Sequence, residues 1–328
     1  MNQLTIATHP NILRTIIALI VLTAFVGLNG LIMVYLERKI AGHIQRRPGP
    51  LEVGPHGLLT PLADSIKLVG KQLIAPAGSD RFLFWAAPII AFLPAFVLFL
   101  PFEFGPGLYA LREHLGVLLV LAFSGLNVLA LCLAGWASNN KYSLLGAARA
   151  VAQTVAYEIP LFLAVLSVAL MTNTLDFSVV VADQGSWFWQ WNIAKQPLAF
   201  IIFFICTVAE TNRAPFDLPE AESELTAGFH TEYSGMGFGL FFLAEYTIMV
   251  VVSAMTTALF LGGWKGPFPG IDGIWWFVAK VYVLLLFMIW LRWTYPRVRF
   301  DQILNLCWKW LIPLSLANLV VTAIAIKL

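Results

Sequence analysis

The residues best able to do chemistry in this chain are carboxylates, and they occur in two settings. The first is the loop that begins at Glu210 and runs to Gly228. Asp217, Glu220, Glu222 and Glu224 crowd together there, with Arg213 the one arginine nearby. Carboxylates packed this closely raise one another's pKa values and titrate as a group, so such a cluster can store and pass protons. A solvated acidic loop has the same spacing, and spacing alone favours that reading. Pro215 and Pro219 break the segment, so it is not a simple helix. It lacks the regular ligand spacing and central glycine of a calcium-binding loop.

The second setting is apolar sequence. Glu158 sits in Ala152–Pro160, midway along a hydrophobic run; Glu210 closes another, and Glu245 and Lys280 lie inside two more. An ionisable side chain in hydrocarbon costs about 2–4 kcal/mol on insertion scales, so such groups face protein or water. Glu158 alone fits either a hydrogen bond between helices or a proton-exchanging group. Three carboxylates and a lysine spread over four helices suggest a polar path through a bundle. Separate helix-to-helix pairs are the other reading.

The elements that carry these residues follow from composition. Of 328 residues 59% are hydrophobic and 12% charged, with a mean hydropathy of +0.81. A soluble domain carries about twice that charge. Apolar runs fall near 12–36, 82–102, 114–137, 145–171, 197–211, 237–262, 274–294 and 305–326. They are continuous rather than alternating, which excludes a membrane β-barrel. The expectation is an all-α integral membrane protein with about eight transmembrane helices, one polytopic domain over 1–328. The first run ends at Glu37-Arg38-Lys39 and not at a cleavage site, so it reads as a span.

Between the first two runs, Leu58, Leu62, Ile66 and Val69 recur at helical spacing, with Asp64, Lys67 and Lys71 off that stripe. This predicts an amphipathic helix over about 57–73, lying on the membrane surface or on a partner protein. Lys and Arg fall fourteen to five in favour of the loops after odd-numbered spans. That puts this helix and the acidic loop, about 211–236, in the cytoplasm and both termini on the periplasmic or equivalent side.

Several chemistries have no signal. Cys132, Cys206 and Cys307 are far apart, and no metal or iron–sulfur motif is present. No phosphate loop or nucleophile elbow occurs. A net charge of +2 with no basic stretch gives no reason to expect a nucleic-acid partner.

The stretch Pro215–Leu225 fits an acidic-loop signature at each fixed position. It resembles that of the family formed by the H subunit of bacterial NADH–quinone oxidoreductase (respiratory complex I) and mitochondrial NADH dehydrogenase subunit 1. Gly135–Tyr142, Gly146–Glu158, Ala244-Glu245-Tyr246 and Arg292–Gln302 are similar to further segments of that family, in order along nearly the whole chain. Two positions depart: Thr60 and Gln72 stand where the family usually has glutamine and glutamate.

The resemblance implies a mechanism divided among subunits of an energy-coupling inner membrane, bacterial or mitochondrial. Soluble partners oxidise NADH at a flavin and pass electrons through iron–sulfur clusters. Quinone, the substrate, enters a chamber built partly by this chain, which itself holds no flavin, cluster or metal. Glu37, Arg38, Arg47, Asp64, Lys67, Arg292 and Arg299 line or close that chamber. Asp217, Glu220, Glu222 and Glu224 respond to quinone reduction, and Glu210, Glu158 and Glu245 carry the change into the bundle. The implied partners are the peripheral quinone-site and iron–sulfur subunits, neighbouring small membrane subunits and lipid. A membrane subunit of an energy-converting hydrogenase, a free-standing ion transporter and an inert anchor are the alternatives.

Overall fold

Each of the eight apolar runs folds as helix. The computed structural model describes residues 12–110, 113–219, 222–268 and 270–327, with backbone alone for 12–19, 222 and 223. The first described helix is α1 (Ile12–Ile44), followed by α2 (Thr60–Gly70). Helix α3 (Arg81–Phe92) continues through α4 (Pro94–Leu98), and a small hairpin, β1 (Glu103–Gly105) with β2 (Leu108–Tyr109), leads to α5 (Gly116–Ala137). The strands pair antiparallel with Glu103 opposite Tyr109.

Helix α6 (Lys141–Thr172) follows, then the short α7 (Phe177–Asp183) and α8 (Asn192–Lys195), and α9 (Pro197–Glu210). The acidic loop contains α10 (Glu222–Leu225). After it come α11 (Gly235–Phe260) and α12 (Ile274–Thr294). The last span is composite: α13 (Phe300–Asn305), a π-helical stretch Leu306–Leu311, and α14 (Ile312–Lys327).

Among the described residues seven of these helical segments are long and apolar enough to cross a membrane. The eighth, α9, has 14 residues and rises about 21 Å at 1.5 Å per residue, short of a hydrocarbon core of about 30 Å. The expected all-α membrane fold is the observed one. The amphipathic helix is shorter than the predicted 57–73, because Pro61 sits in the first turn and the chain turns extended at Lys71.

Helix α11 is the centre. Every residue from Ala244 to Phe260 is buried, as expected of a helix apolar on all faces. Its hydroxyls cost nothing there, because Thr247, Ser253, Thr256 and Thr257 each donate to a carbonyl four residues back. Helix α1 lies against it with Gly30 under Leu243, a contact no side chain at 30 would permit.

Helix α6 holds the acidic loop. Asn140 caps its first turn by accepting from the Tyr142 amide and donates to Glu232 at 2.6 Å. Ser143 donates to the Phe229 carbonyl at 2.9 Å. One turn on, a Cβ at Gly146 would stand 2.9 Å from Gly228 Cα, so only glycine lets the returning limb of the loop lie this close. Alanines 130, 134 and 137 of α5 and 147 and 150 of α6 share one buried cluster with α3 and α11, the small-residue packing of membrane helices.

The orientation expected from Lys and Arg has a direct check. In a background with the three native cysteines replaced, Glu52→Cys and Trp189→Cys are exposed on loops at opposite ends of the bundle. An impermeant thiol reagent is expected to label Glu52→Cys only from the cytoplasmic side and Trp189→Cys only from the other. The reverse pattern overturns the orientation.

Candidate functional site

Helices α1, α2, α11 and α12 enclose a cavity of about 650 Å³, within the usual range for small-molecule sites. Leu31, Val34, Leu62, Leu68, Phe242 and Trp293 give it apolar walls. Its charged lining consists of Glu37, Arg38, Arg47, Asp64, Arg213 and Arg292, four guanidiniums against two carboxylates. The site is therefore an apolar space under a positive excess.

The charges are held by named pairs. Glu37, buried on α1, is bonded by Arg292 from α12 and accepts from the Tyr246 hydroxyl of α11 at 2.6 Å. Arg38 donates to Asp64 at 2.5 Å and Lys67 donates to its other oxygen at 3.2 Å, tying α2 to the end of α1. Partial burial works against the charge on Asp64. The hydrogen bonds from Arg38 and Lys67, with their positive charges, outweigh it and hold the carboxyl below its ordinary value.

Arg213, at the start of the acidic loop, reaches down to Glu245 at 2.7 Å, with both side chains buried. Its guanidinium also lies 4.8 Å from the ring centre of Tyr246 and 5.1 Å from that of Phe242, a cation–π contact with each of two neighbouring rings. Tyr246 thus touches both the Glu37 pair and the Arg213 pair, so the chamber wall and the base of the loop share one side chain.

A second, smaller pocket of about 330 Å³ lies among α5, α6 and α9, lined by Glu158, Glu210, Ser124 and apolar side chains. Gly125 makes room for it: a Cβ there would meet the Glu158 carboxylate at 3.4 Å. Glu158 and Glu210, carried on different helices, face one space.

A family model described as NADH dehydrogenase matches residues 16–323. The chain belongs to this family. Similar relatives include the H subunit of the NADH-quinone oxidoreductase of Desulfotalea psychrophila, 50% identical over 96% of this chain and 98% of its own length. That of Dehalococcoides mccartyi is 48% identical over 96% of this chain and 87% of its own length. The second of the H subunits named in Geobacter metallireducens is 46% identical over 95% of each chain.

The structure gathers the family-implied residues unevenly. Glu37, Arg38, Arg47, Asp64 and Arg292 line one cavity, and Lys67 reaches it only through Asp64. Arg299 does not line it; it is exposed at the start of α13, where Gln302 accepts from its backbone N–H. Glu158 and Glu210 share the second pocket, while Glu245 is paired with Arg213. Asp217 is half-buried on the loop, Glu222 opens α10, and Glu220 lies outside the described residues.

Two expectations are corrected. Lys280 is no member of a carboxylate path: it donates to the carbonyls of Leu261, Gly263 and Lys265, and its ammonium lies 4.0 Å from the Trp191 ring centre. A long flexible side chain that can snorkel out of the apolar layer finds backbone oxygens at the far end of α11. Glu224 does not share a raised group titration. A hydrogen bond from Arg149 of α6, opposed by slight burial and aided by the charges of Arg149 and Arg297, holds its carboxyl below the ordinary range.

Sequence reasoning missed Gln153 and Ser124. Gln153 is wholly buried and donates to three acceptors around the base of the loop. An amide inside an apolar run was the available signal.

The Arg213–Glu245 pair gives a quantitative expectation. Arg213→Met strands a buried carboxylate and should cost about 3–5 kcal/mol, whereas Arg213→Met with Glu245→Gln should recover most of that loss. Thermal inactivation of the two variants measures it, and a double variant as unstable as the single one removes the pairing as the cause.

Proposed function

We propose that the chain is the membrane subunit of a proton-pumping NADH–quinone oxidoreductase, forming part of the quinone chamber and coupling quinone reduction to proton translocation. The observation that carries the reading is the cavity among α1, α2, α11 and α12, with apolar walls and convergent charges. The names of the relatives point the same way. A quinone is an apolar body with a polar head, and this lining suits both. Reduction adds negative charge at the head, and four arginines against two carboxylates stabilise that charge.

The response then has a physical route. A charge change in the chamber acts on the Arg292–Glu37–Tyr246 group, and Tyr246 packs on Arg213, which is paired with Glu245. Arg213 follows Glu210 by less than one helical turn of sequence, and Glu210 shares its pocket with Glu158. In this reading the chamber charge is felt at Glu210 through contacts of two or three side chains. Asp217, Glu220, Glu222 and Glu224 form the responsive loop, with Glu224 ionised at neutral pH by its arginine.

The partners follow from the same reading: peripheral quinone-site and iron–sulfur subunits on the cytoplasmic side, small membrane subunits beside the bundle, and lipid. The membrane is an energy-coupling inner membrane, with both termini on its outer side. Exposed Leu58, just before α2, and Leu62, Ile66 and Val69 on it provide an apolar face for that membrane's surface.

The test is a mild-detergent purification through this chain, scored by co-purifying subunits and by inhibitor-sensitive NADH–quinone activity. Flavin and iron–sulfur subunits with that activity are expected. A nickel–iron hydrogenase module, or a stable lone protein, overturns the reading. In the recovered complex, Glu210→Gln and Glu222→Gln should lower quinone-linked NADH oxidation about tenfold or more while sparing NADH oxidation by an artificial acceptor at the flavin. Full quinone activity and pumping in both would remove those residues from the coupling.

A further inference from the structure

The acidic loop leaves α9 through the turn Ala209–Phe216, which carries Glu210 and Arg213 and delivers Asp217. One side chain closes that turn from outside. Gln153 Nε2 donates to the Ala209 carbonyl at 2.9 Å and to the Phe216 carbonyl at 3.0 Å, with Asn212 Oδ1 a third acceptor at 3.3 Å. Asn212 itself has a left-handed backbone, φ 50°. An amide nitrogen has two hydrogens, and the two carbonyls take them; a carboxamide oxygen in that place would face two acceptors, so the orientation is fixed.

The donor is retained at a cost. Gln153 is wholly buried, and its Oε1 has no hydrogen-bond partner among the described residues. An unpaired buried acceptor is unfavourable, and an apolar side chain of similar length would avoid it. That chain would instead remove both bonds from α6 to the turn, leaving the Ala209 and Phe216 carbonyls only their local donors, the Asn212 and Leu218 N–H groups, and the turn free to shift. Helix α6 thus grips the loop at several levels: Ser143 at Phe229, Arg149 at Glu224 and Gln153 at Ala209 and Phe216. Glu158 lies farther along the same helix.

We propose that Gln153 is a positioning residue for the coupling step. By joining both ends of the Ala209–Phe216 turn to α6, it sets Glu210 and the Arg213–Glu245 pair in register with Glu158. The inference rests on the function proposed above.

Two variants in the assembled complex, in native membranes, test it. Gln153→Met fills the volume and cannot donate. Gln153→Glu donates to one carbonyl when protonated and to neither when ionised. Glu158, Glu210, Arg213 and Asp217 are present in both, so a difference between their pH profiles isolates position 153. With rates normalised to artificial-acceptor reduction at the flavin, Gln153→Met should lose about ten- to a hundredfold in quinone-linked turnover at every pH, the scale of a misplaced group. Gln153→Glu should be as impaired at pH ~8 and recover several-fold toward pH ~6, because only the protonated side chain restores a donor.

Wild-type turnover in Gln153→Met, or identical profiles for the two variants, overturns the proposal. If Gln153→Met does not assemble, the Gln153→Glu profile against wild type decides, and a profile of wild-type shape and height overturns it. Glu210→Gln run in parallel separates the levels. Full activity there removes Glu210 from the coupling and with it the step that Gln153 would position, whereas an impaired Glu210→Gln beside an intact Gln153→Met defeats only the positioning role.

Discussion

Arg213 and Glu245 face each other at 2.7 Å with almost none of either side chain exposed, and neither could occupy that interior alone. An isolated charge there would have to be neutralised or pulled to the surface. The pair therefore fixes two things at once: the loop must enter the bundle at Arg213, and α11 must present Glu245 toward it. Tyr246 and Phe242, one and three residues from Glu245, are then placed to pack their rings on the guanidinium, and the Tyr246 hydroxyl is left to meet Glu37. One chamber wall is a by-product of satisfying one buried cation.

The two pockets differ in how they treat charge. In the larger cavity Glu37, Asp64 and Arg292 each have an oppositely charged partner, and arginine is in excess. In the smaller one Glu158 and Glu210 look into a mostly apolar space with a serine as the polar neighbour. A carboxylate with a charged partner and a carboxylate in a mostly apolar pocket answer differently to a change of field. The two pockets thus hold their carboxylates in different surroundings, with Arg213, Gln153 and the loop between them.

Much of the fold was legible because each span had to be apolar over its own length. The same rule marked α9 as short. The stripe Leu58, Leu62, Ile66 and Val69 announced a helix, found as α2, and those side chains are exposed in the chain by itself. Chamber composition came only through family resemblance, since nothing in the spacing of Glu37 and Arg292 says that they meet. Crowding along the sequence suggested raised carboxylate pKa values, but Arg149, from a distant helix, reverses the sign at Glu224. Lys280 was legible as a charge inside a span, yet its partners are backbone carbonyls, which carry no residue-type signal. Gln153 was passed over because it is neutral, although burial of a neutral amide is as demanding of partners as many charges are.

The ammonium of Lys280 has a mechanical meaning as well. It gathers three carbonyls at and just beyond the far end of α11, and Gln184 and Asn192 add bonds to Ala258, Leu259 and Gly262. The opposite end of the helix begins with Gly235, Gly237 and Gly239 beside α2. A rod fastened at both ends, by the lysine at one and by close packing of its glycines at the other, behaves as a strut, and the Glu245–Tyr246 turn is held at a set height between the two fixings.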